Sequence, residues 1–485
     1  MIKDATYYAQ KIKRKKISAQ ELMIETVTRA HEINTLNAFV EVNQELAMKQ
    51  LEIPISSVSS APFSGVPIAL KDLGQAKKGF RQTFGSRLFK NYRAKETNNF
   101  VRQIEYAGFI PFGVTTSPEF GFKNITDALL YGPAKNAWND NFYSGGSSGG
   151  AASAVASGVI PLAGASDGGG SIRIPASFSG LIGFKPSRGN IVTGPSSWRD
   201  WQGASINFVL GVSVRDLKTL FPLLAPNNQC SPFLRPIPRL PHSNKLRIAV
   251  CIDSPIGNLV SQAANQATIE AASFLEQAGH SVEFIRYPID GSRLIRSYYE
   301  MNGGETSAMM KNISNDLKRQ LTINDMELST WTIYQYGKRL TAADYVSSFS
   351  AWDEATVKME DLFESFDIFL SPTATATAPS IHTDFQSDAL RLKMTHAEDL
   401  SKMELADLVY DMFEKGLYLT PYTQLANLTG QPAISLPTFI AANGLPLGIQ
   451  LMAAKGNDAL LLAVAEQFEA ADHFKLPAVY KKINV

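Results

Sequence analysis

Residues Ser144–Lys185 read SGGSSGGAASAVASGVIPLAGASDGGGSIRIPASFSGLIGFK, with two glycine-flanked serines, Ser147 and Ser171, and no His, Cys or Glu between them. Glycine-rich loops ordinarily make tight turns or cradle phosphates. The phosphate reading fails, because the segment has no GxxxxGK[ST] and no GxGxxG, and GGSSGG holds no lysine. A plain turn accounts for either loop taken singly. It does not account for two of them in one chain that also ends the apolar run GVPIALK on a lysine, Lys71.

In DGGGS the backbone N–H groups of Gly168, Gly169, Gly170 and Ser171 are free of Cβ obstruction up to the serine and can converge on one point, which is the requirement for an oxyanion hole. A serine ending such a loop is placed to attack the carbonyl that the loop holds, so Ser171 is the expected nucleophile. Asp167 and Arg173, with Ser148 in the other loop, are the expected braces. GxSxG is absent around Ser171, so this is not the elbow of an α/β-hydrolase.

A serine needs a base, and no histidine is near in sequence. A neutral lysine can serve. Free lysine, with a pKa of about 10.4, is neutral in only about one molecule in 2,500 at pH 7, so the base has to sit where burial lowers its pKa. Lys71, at the end of a buried strand, is the expected base; the competing structural role is an ion pair with Asp72 or with an edge carboxylate. Ser147 can relay a proton between Lys71 and Ser171, since a hydroxyl both donates and accepts.

Composition narrows the function classes. The chain has 485 residues, 46 basic and 45 acidic, for a net charge of +1, and it is 45% apolar and 19% charged. Neither nucleic acid nor an acidic partner has an electrostatic case. The basic run KIKRKK (Lys11–Lys16) reads as a solvated helix face. No apolar stretch of about 18 residues occurs, so a cytoplasmic protein without a membrane partner is expected. Cys230 and Cys251 form no disulfide framework, and His31, His242, His280, His382, His396 and His473 show no HxH or HExxH, so neither a metal nor a cofactor is expected.

Strand and helix signals alternate along the chain. Ser18 and Glu21 form a capping box that starts a helix, and AFVEV follows as a strand. A serine-rich connector, ISSVSSAPFSG, leads to GVPIALKDL. The helix TNNFVRQIEYAG, capped at Gly108, precedes the strand FIPFGVT. LRIAVCID, a helix over 262–278 and HSVEFI repeat the alternation; DIFLSPTA and PAISLP read as buried strands, and FIAANGLPLGIQLMA as a hairpin turning at Asn443-Gly444. The expected fold class is α/β, a single large domain with a central mixed, mostly parallel sheet covered by helices. Residues 1–60 are expected to form a helical N-terminal layer, 61–215 the core with the motifs, and 216–485 the remainder of the same domain.

These motifs resemble the amidase signature hydrolases. That family's pattern is a strand-end lysine, then GGSSGG, then D-x-G-G-S-[IV]-R-x-P, and here Lys71, Ser147 and DGGGSIRIP around Ser171 match it in order. The likeness continues through GLIGFKPSRG, PAISLP and GLPLGIQLMA and back to ISAQEL at the N-terminus, covering nearly the whole chain. Gly168, Phe184 and Ser187 stand where members often carry a bulkier residue, Leu and Thr. The resemblance implies Ser171 as acyl nucleophile, Ser147 in a cis peptide after Gly146, Lys71 as general base and acid, and an oxyanion hole on the amides of Gly168 to Ser171. Within the family, the chain is most similar to the 6-aminohexanoate-cyclic-dimer hydrolase branch and related broad amidases. The alternatives are the glutaminase subunit of a tRNA-dependent amidotransferase, disfavoured by KPSRGNIVTGPSSWRDWQG where that subunit differs, and a non-catalytic scaffold. Trp198, Trp201 and Met301 are expected to line the substrate pocket. The expected partner is a small-molecule amide, and the expected assembly a homodimer.

Overall fold

The computed structural model of the chain describes residues 2–52, 61–226, 230–239 and 245–480. Most of the serine-rich connector, and His242, lie outside them. The strands are β1 (Phe39–Val42), β2 (Pro67–Lys71), β3 (Ile110–Thr115), β4 (Leu162–Asp167), β5 (Ile182–Lys185), β6 (Ile206–Gly211), β7 (Arg247–Val250), β8 (Ser281–Phe284), β9 (Ile368–Pro372), β10 (Ala433–Ile440) and β11 (Pro446–Met452). Eight of them form one sheet in the order β4-β6-β5-β10-β11-β9-β7-β8, and the other three a smaller sheet, β1-β3-β2.

The fold is α/β with a mixed sheet, as expected, but the sheet is not mostly parallel. Five of its neighbouring pairs run antiparallel, and two, β7 with β8 and β7 with β9, run parallel. The helix Gln262–Gln277 does link parallel neighbours, β7 and β8, as the alternation predicts. Elsewhere chain order is not spatial order. β6 returns between β4 and β5, and the β10–β11 hairpin inserts between β5 and β9, so strands of like direction are separated by an opposed one.

β2 lies beside β4 without a backbone ladder. The Gln75 side chain fills the gap: its Oε1 accepts from the Lys71 N–H at 3.0 Å and its Nε2 donates to the Ala165 carbonyl at 2.8 Å. Gly164 makes room for that amide, since a Cβ there would stand 2.1 Å from Gln75 Oε1. Lys71 and the end of β4 are thereby brought to the same edge. The Ser18 helix (Ala19–Glu32) carries both halves of its capping box, and the hairpin turns at Gly444, where φ is 77°.

Helices Gly149–Ala156 and Arg173–Ser179 follow the two glycine loops directly and are buried at every position. A second helical layer, Gly291–Leu317, Leu328–Arg339, Ala342–Ser365 and Lys402–Leu419, packs largely on itself. Among the described residues no helix is long and apolar enough to cross a membrane.

Candidate active site

Lys71 is buried, 1% exposed. Its Nζ lies 2.9 Å from Ser147 Oγ, 2.9 Å from Ser166 Oγ and 3.5 Å from the Ser166 carbonyl oxygen. Burial pushes the amine down to about 7, against the opposing pull of Asp167 and Asp72. Asp72 does not pair with it. That carboxylate accepts instead from the Thr83 N–H at 2.6 Å and the Gly85 N–H at 3.0 Å, and burial pushes it up to about 6 despite those bonds. The structural alternative for Lys71, an ion pair with Asp72, is therefore not the arrangement the fold makes.

The Gly146–Ser147 peptide is cis. Ser148 ties its loop to β4: its hydroxyl donates to the Ser166 carbonyl at 3.3 Å.

The second loop is clamped from below. Arg173 and Asp167, both wholly buried, form a bidentate pair, Nε to Oδ2 and Nη2 to Oδ1, each 2.9 Å. Arg173 also donates to Gln450 Oε1 and Asn427 Oδ1, each at 2.6 Å, and Asn427 Nδ2 donates to the Asp167 carbonyl at 2.9 Å. Burial alone would raise the Asp167 pKa; Arg173 overcomes it and holds the carboxyl well below the usual range. A buried charge that keeps a hydrogen-bonded partner is tolerated where an unpaired one is not.

One expected oxyanion donor is taken out by this clamp. The Gly170 N–H is committed to Asp167 Oδ1 at 2.7 Å. The amides of Gly168, Gly169 and Ser171 have no protein partner among the described residues. Gly170 is required for its backbone instead: φ is +123°, and a Cβ there would lie 2.3 Å from Thr423 Oγ1.

Ser171 and Gly169 open into a cavity of about 200 Å³ whose walls include Phe122, Tyr298, Tyr299, Met412, Phe413 and Leu417. On one side of it stands an ion cluster in which Lys123 Nζ is 2.8 Å from both Asp127 Oδ1 and Glu327 Oε2. Of the three residues expected to line the pocket, Trp201 comes nearest. It stacks on Phe122 at 5.9 Å, meets Tyr298 edge-on and stands over Gly168, so it backs the wall without lining it. Trp198 instead covers Gly194, whose missing side chain leaves room for the indole. Met301 is fully buried in a cluster with Leu294, Trp352 and Leu425, on the inward face of its helix.

Sequence reasoning missed Ser166 and the aromatic wall. Strand alternation puts Ser166 on the same side of β4 as Gly164, but only the position of β2 across that face reveals its neighbour. Phe122, Tyr298 and Phe413 are far apart in the chain, and nothing local marks them as neighbours.

The arrangement can abstract a proton from a serine hydroxyl with a neutral amine and hold a developing oxyanion with backbone amides. That is chemistry an acyl-transfer hydrolase needs, and residues 21–462 match the amidase family model: the chain belongs to that family, whose members hydrolyse amide C–N bonds. It is 38% identical to a lipoamidase from Enterococcus faecalis over 472 residues, 96% of this chain but only 63% of the lipoamidase. It is 30% identical to a 6-aminohexanoate-cyclic-dimer hydrolase from Paenarthrobacter ureafaciens, covering 96% of this chain and 94% of that one. A solved 6-aminohexanoate cyclic dimer hydrolase complexed with its substrate superposes with a TM-score of 0.84 at 29% identity, over 99% of this chain and 98% of that one.

Proposed function

We propose that the chain hydrolyses a small linear or cyclic carboxamide whose acyl part is an unbranched aliphatic chain, with Ser171, Ser147 and Lys71 as the catalytic set. The observation that carries the reading is the buried Lys71–Ser147 contact at 2.9 Å, beside a serine that opens into a cavity with an aromatic and aliphatic side. Ser171 Oγ attacks the amide carbon while its proton passes to Ser147 Oγ and the Ser147 proton to Lys71 Nζ. The carbonyl π pair moves onto oxygen, facing the free amides of Gly169 and Ser171. On collapse the C–N bond breaks, and the leaving nitrogen takes a proton back along the same path. Water then repeats the sequence on the acyl-enzyme, releasing acid and restoring Ser171.

The side of the wall made by Phe122, Tyr298, Tyr299, Met412, Phe413 and Leu417 suits an apolar acyl chain, while Lys123, Asp127, Asp384 and Arg391 make the rest of the lining polar. Lipoamide and the 6-aminohexanoate dimers, the substrates in the names of two relatives, share a straight-chain aliphatic acyl part. Each additional buried methylene is worth about 0.8 kcal/mol, or about fourfold in kcat/KM. The test is a panel of lipoamide, the linear and cyclic 6-aminohexanoate dimers, a branched-chain acyl amide, an anilide and glutamine, read by mass spectrometry of products. Straight-chain amides should be turned over fastest. Preference for glutamine or for the branched amide overturns this substrate class. Ser171→Ala should abolish turnover, and a fluorophosphonate should label Ser171 in the native protein.

A further inference from the structure

We propose that Ser166 is a positioning residue for this reaction: its hydroxyl takes one N–H of Lys71 and so aims the lysine lone pair at Ser147. The proposal rests on the reading of Lys71 as base to Ser171 through Ser147.

Three oxygens surround the Lys71 nitrogen: Ser147 Oγ at 2.9 Å, Ser166 Oγ at 2.9 Å and the Ser166 carbonyl at 3.5 Å. A carbonyl oxygen only accepts, whereas a hydroxyl does either. A lysine ammonium has three N–H groups, one for each oxygen. The neutral amine has two N–H groups and a lone pair. With Ser166 taking both N–H groups through Oγ and O, the lone pair is left facing Ser147 Oγ, whose proton it must receive. As Lys71 cycles between amine and ammonium, only Ser147 changes from donor to acceptor, and Ser166 accepts throughout. Without the Ser166 hydroxyl the amine is held by one long contact to the carbonyl and turns about its Cε–Nζ bond.

Ser166 is held for this duty. It is 5% exposed, sits at Ser166↔Asn207 in the β4–β6 ladder, and its backbone is tied to Ser148 through both N–H and carbonyl. The charged groups facing Lys71 are Asp72 beyond the end of its own strand and Asp167 at the end of β4, the latter locked to Arg173 of the following helix. Ser147 and Ser166 present hydroxyls. Removing the Ser166 hydroxyl takes an acceptor from the ammonium, and hydrogen bonds to a charged group favour the charged form. The protonation midpoint of Lys71 should then fall.

The test follows the rate of Ser171 labelling by a fluorophosphonate against pH in the full chain, for the native protein and for Ser166→Ala, Ser166→Thr and Ser166→Cys, with the adduct mapped by mass spectrometry. The native rate should rise with pH through a midpoint near 7, where burial places Lys71. Ser166→Ala should lower the plateau about tenfold, the worth of one oriented hydrogen bond, and move the midpoint to lower pH. Ser166→Thr, which keeps the hydroxyl, should restore both. Should the alanine variant fail to fold, Ser166→Cys carries the same prediction, because a thiol is a weak acceptor. Native plateau and midpoint in the alanine or cysteine variant, with the adduct still on Ser171, overturn the role of Ser166 and leave the proposed function standing. An adduct on another serine of the native protein overturns the nucleophile and this inference together.

Discussion

A lysine enclosed by two serines behaves unlike one in water, and the consequences for Lys71 are measurable. In the proposed mechanism the neutral amine is the active form, and burial brings its midpoint to about 7. Turnover should therefore rise with pH through that value, and a profile flat from acid to alkaline conditions would contradict the role. Lys71→Ala should lose about 10⁴ or more in kcat, because members of a catalytic unit fail together. Lys71→Arg should not rescue it, since a guanidinium keeps its proton. Stability should rise with pH as well, over a higher range. The folded midpoint lies below that of the unfolded chain, so the unfolded chain binds more protons between the two, and stability rises with pH across that window. Lys71→Met should raise the thermal midpoint while abolishing activity, with a larger gain at pH about 6 than at about 9. A lower Tm at both pH values would show that the amine's hydrogen bonds outweigh its burial.

Among the elements, the Ser171 loop and the helix after it act as one piece because Arg173 reaches back to Asp167 beneath the glycines. Breaking such a buried pair from one side leaves an uncompensated charge. Arg173→Ala should cost about 3–5 kcal/mol in urea unfolding, and a loss under about 1 kcal/mol would mean that Asn427 and the loop amides suffice. The upper side of the loop is equally tight. A Cβ on Gly169 would stand 2.8 Å from Tyr298 Oη. Gly169→Ala should displace loop or ring and reduce kcat, and adding Tyr298→Phe should recover part of the loss. Non-additivity of the pair, measured in a double-mutant cycle, checks the contact directly.

For the molecule as a whole, the aromatic and aliphatic side of the cavity is assembled from three distant parts of the chain. Phe122 comes from the segment after β3, Tyr298 and Tyr299 from the helix Gly291–Leu317, and Met412, Phe413 and Leu417 from Lys402–Leu419. Tyr299 stacks on Phe413 with ring centroids 5.4 Å apart. Phe413→Ala removes an aromatic face worth about 1.5–3 kcal/mol of apolar contact. KM for straight-chain amides should rise about tenfold or more, with kcat changing far less. Equal losses in kcat would place Phe413 in the reacting geometry instead of the acyl site.

Residues whose physics is local could be read without the fold. The Ser18–Glu21 box starts its helix, Asn443-Gly444 turns its hairpin, GVPIALK makes a buried strand that ends on a cation, and the glycines of DGGGS mark a loop whose amides are open to a ligand. Motif order paired Lys71 with Ser147 before any distance was in view. Tertiary structure alone decided which amides remained free, because Gly170 is claimed by Asp167, whose orientation depends on Arg173 and, through it, on Asn427 and Gln450 far along the chain. It also decided the direction of the sheet's strands, since period-two patterning does not say which strand lies beside which. The same reason hid Ser166. Trp198 and Met301 carry the chemistry of a pocket, yet the fold turns them onto Gly194 and into the core, because an aromatic or thioether side chain fills any apolar space that packing offers it.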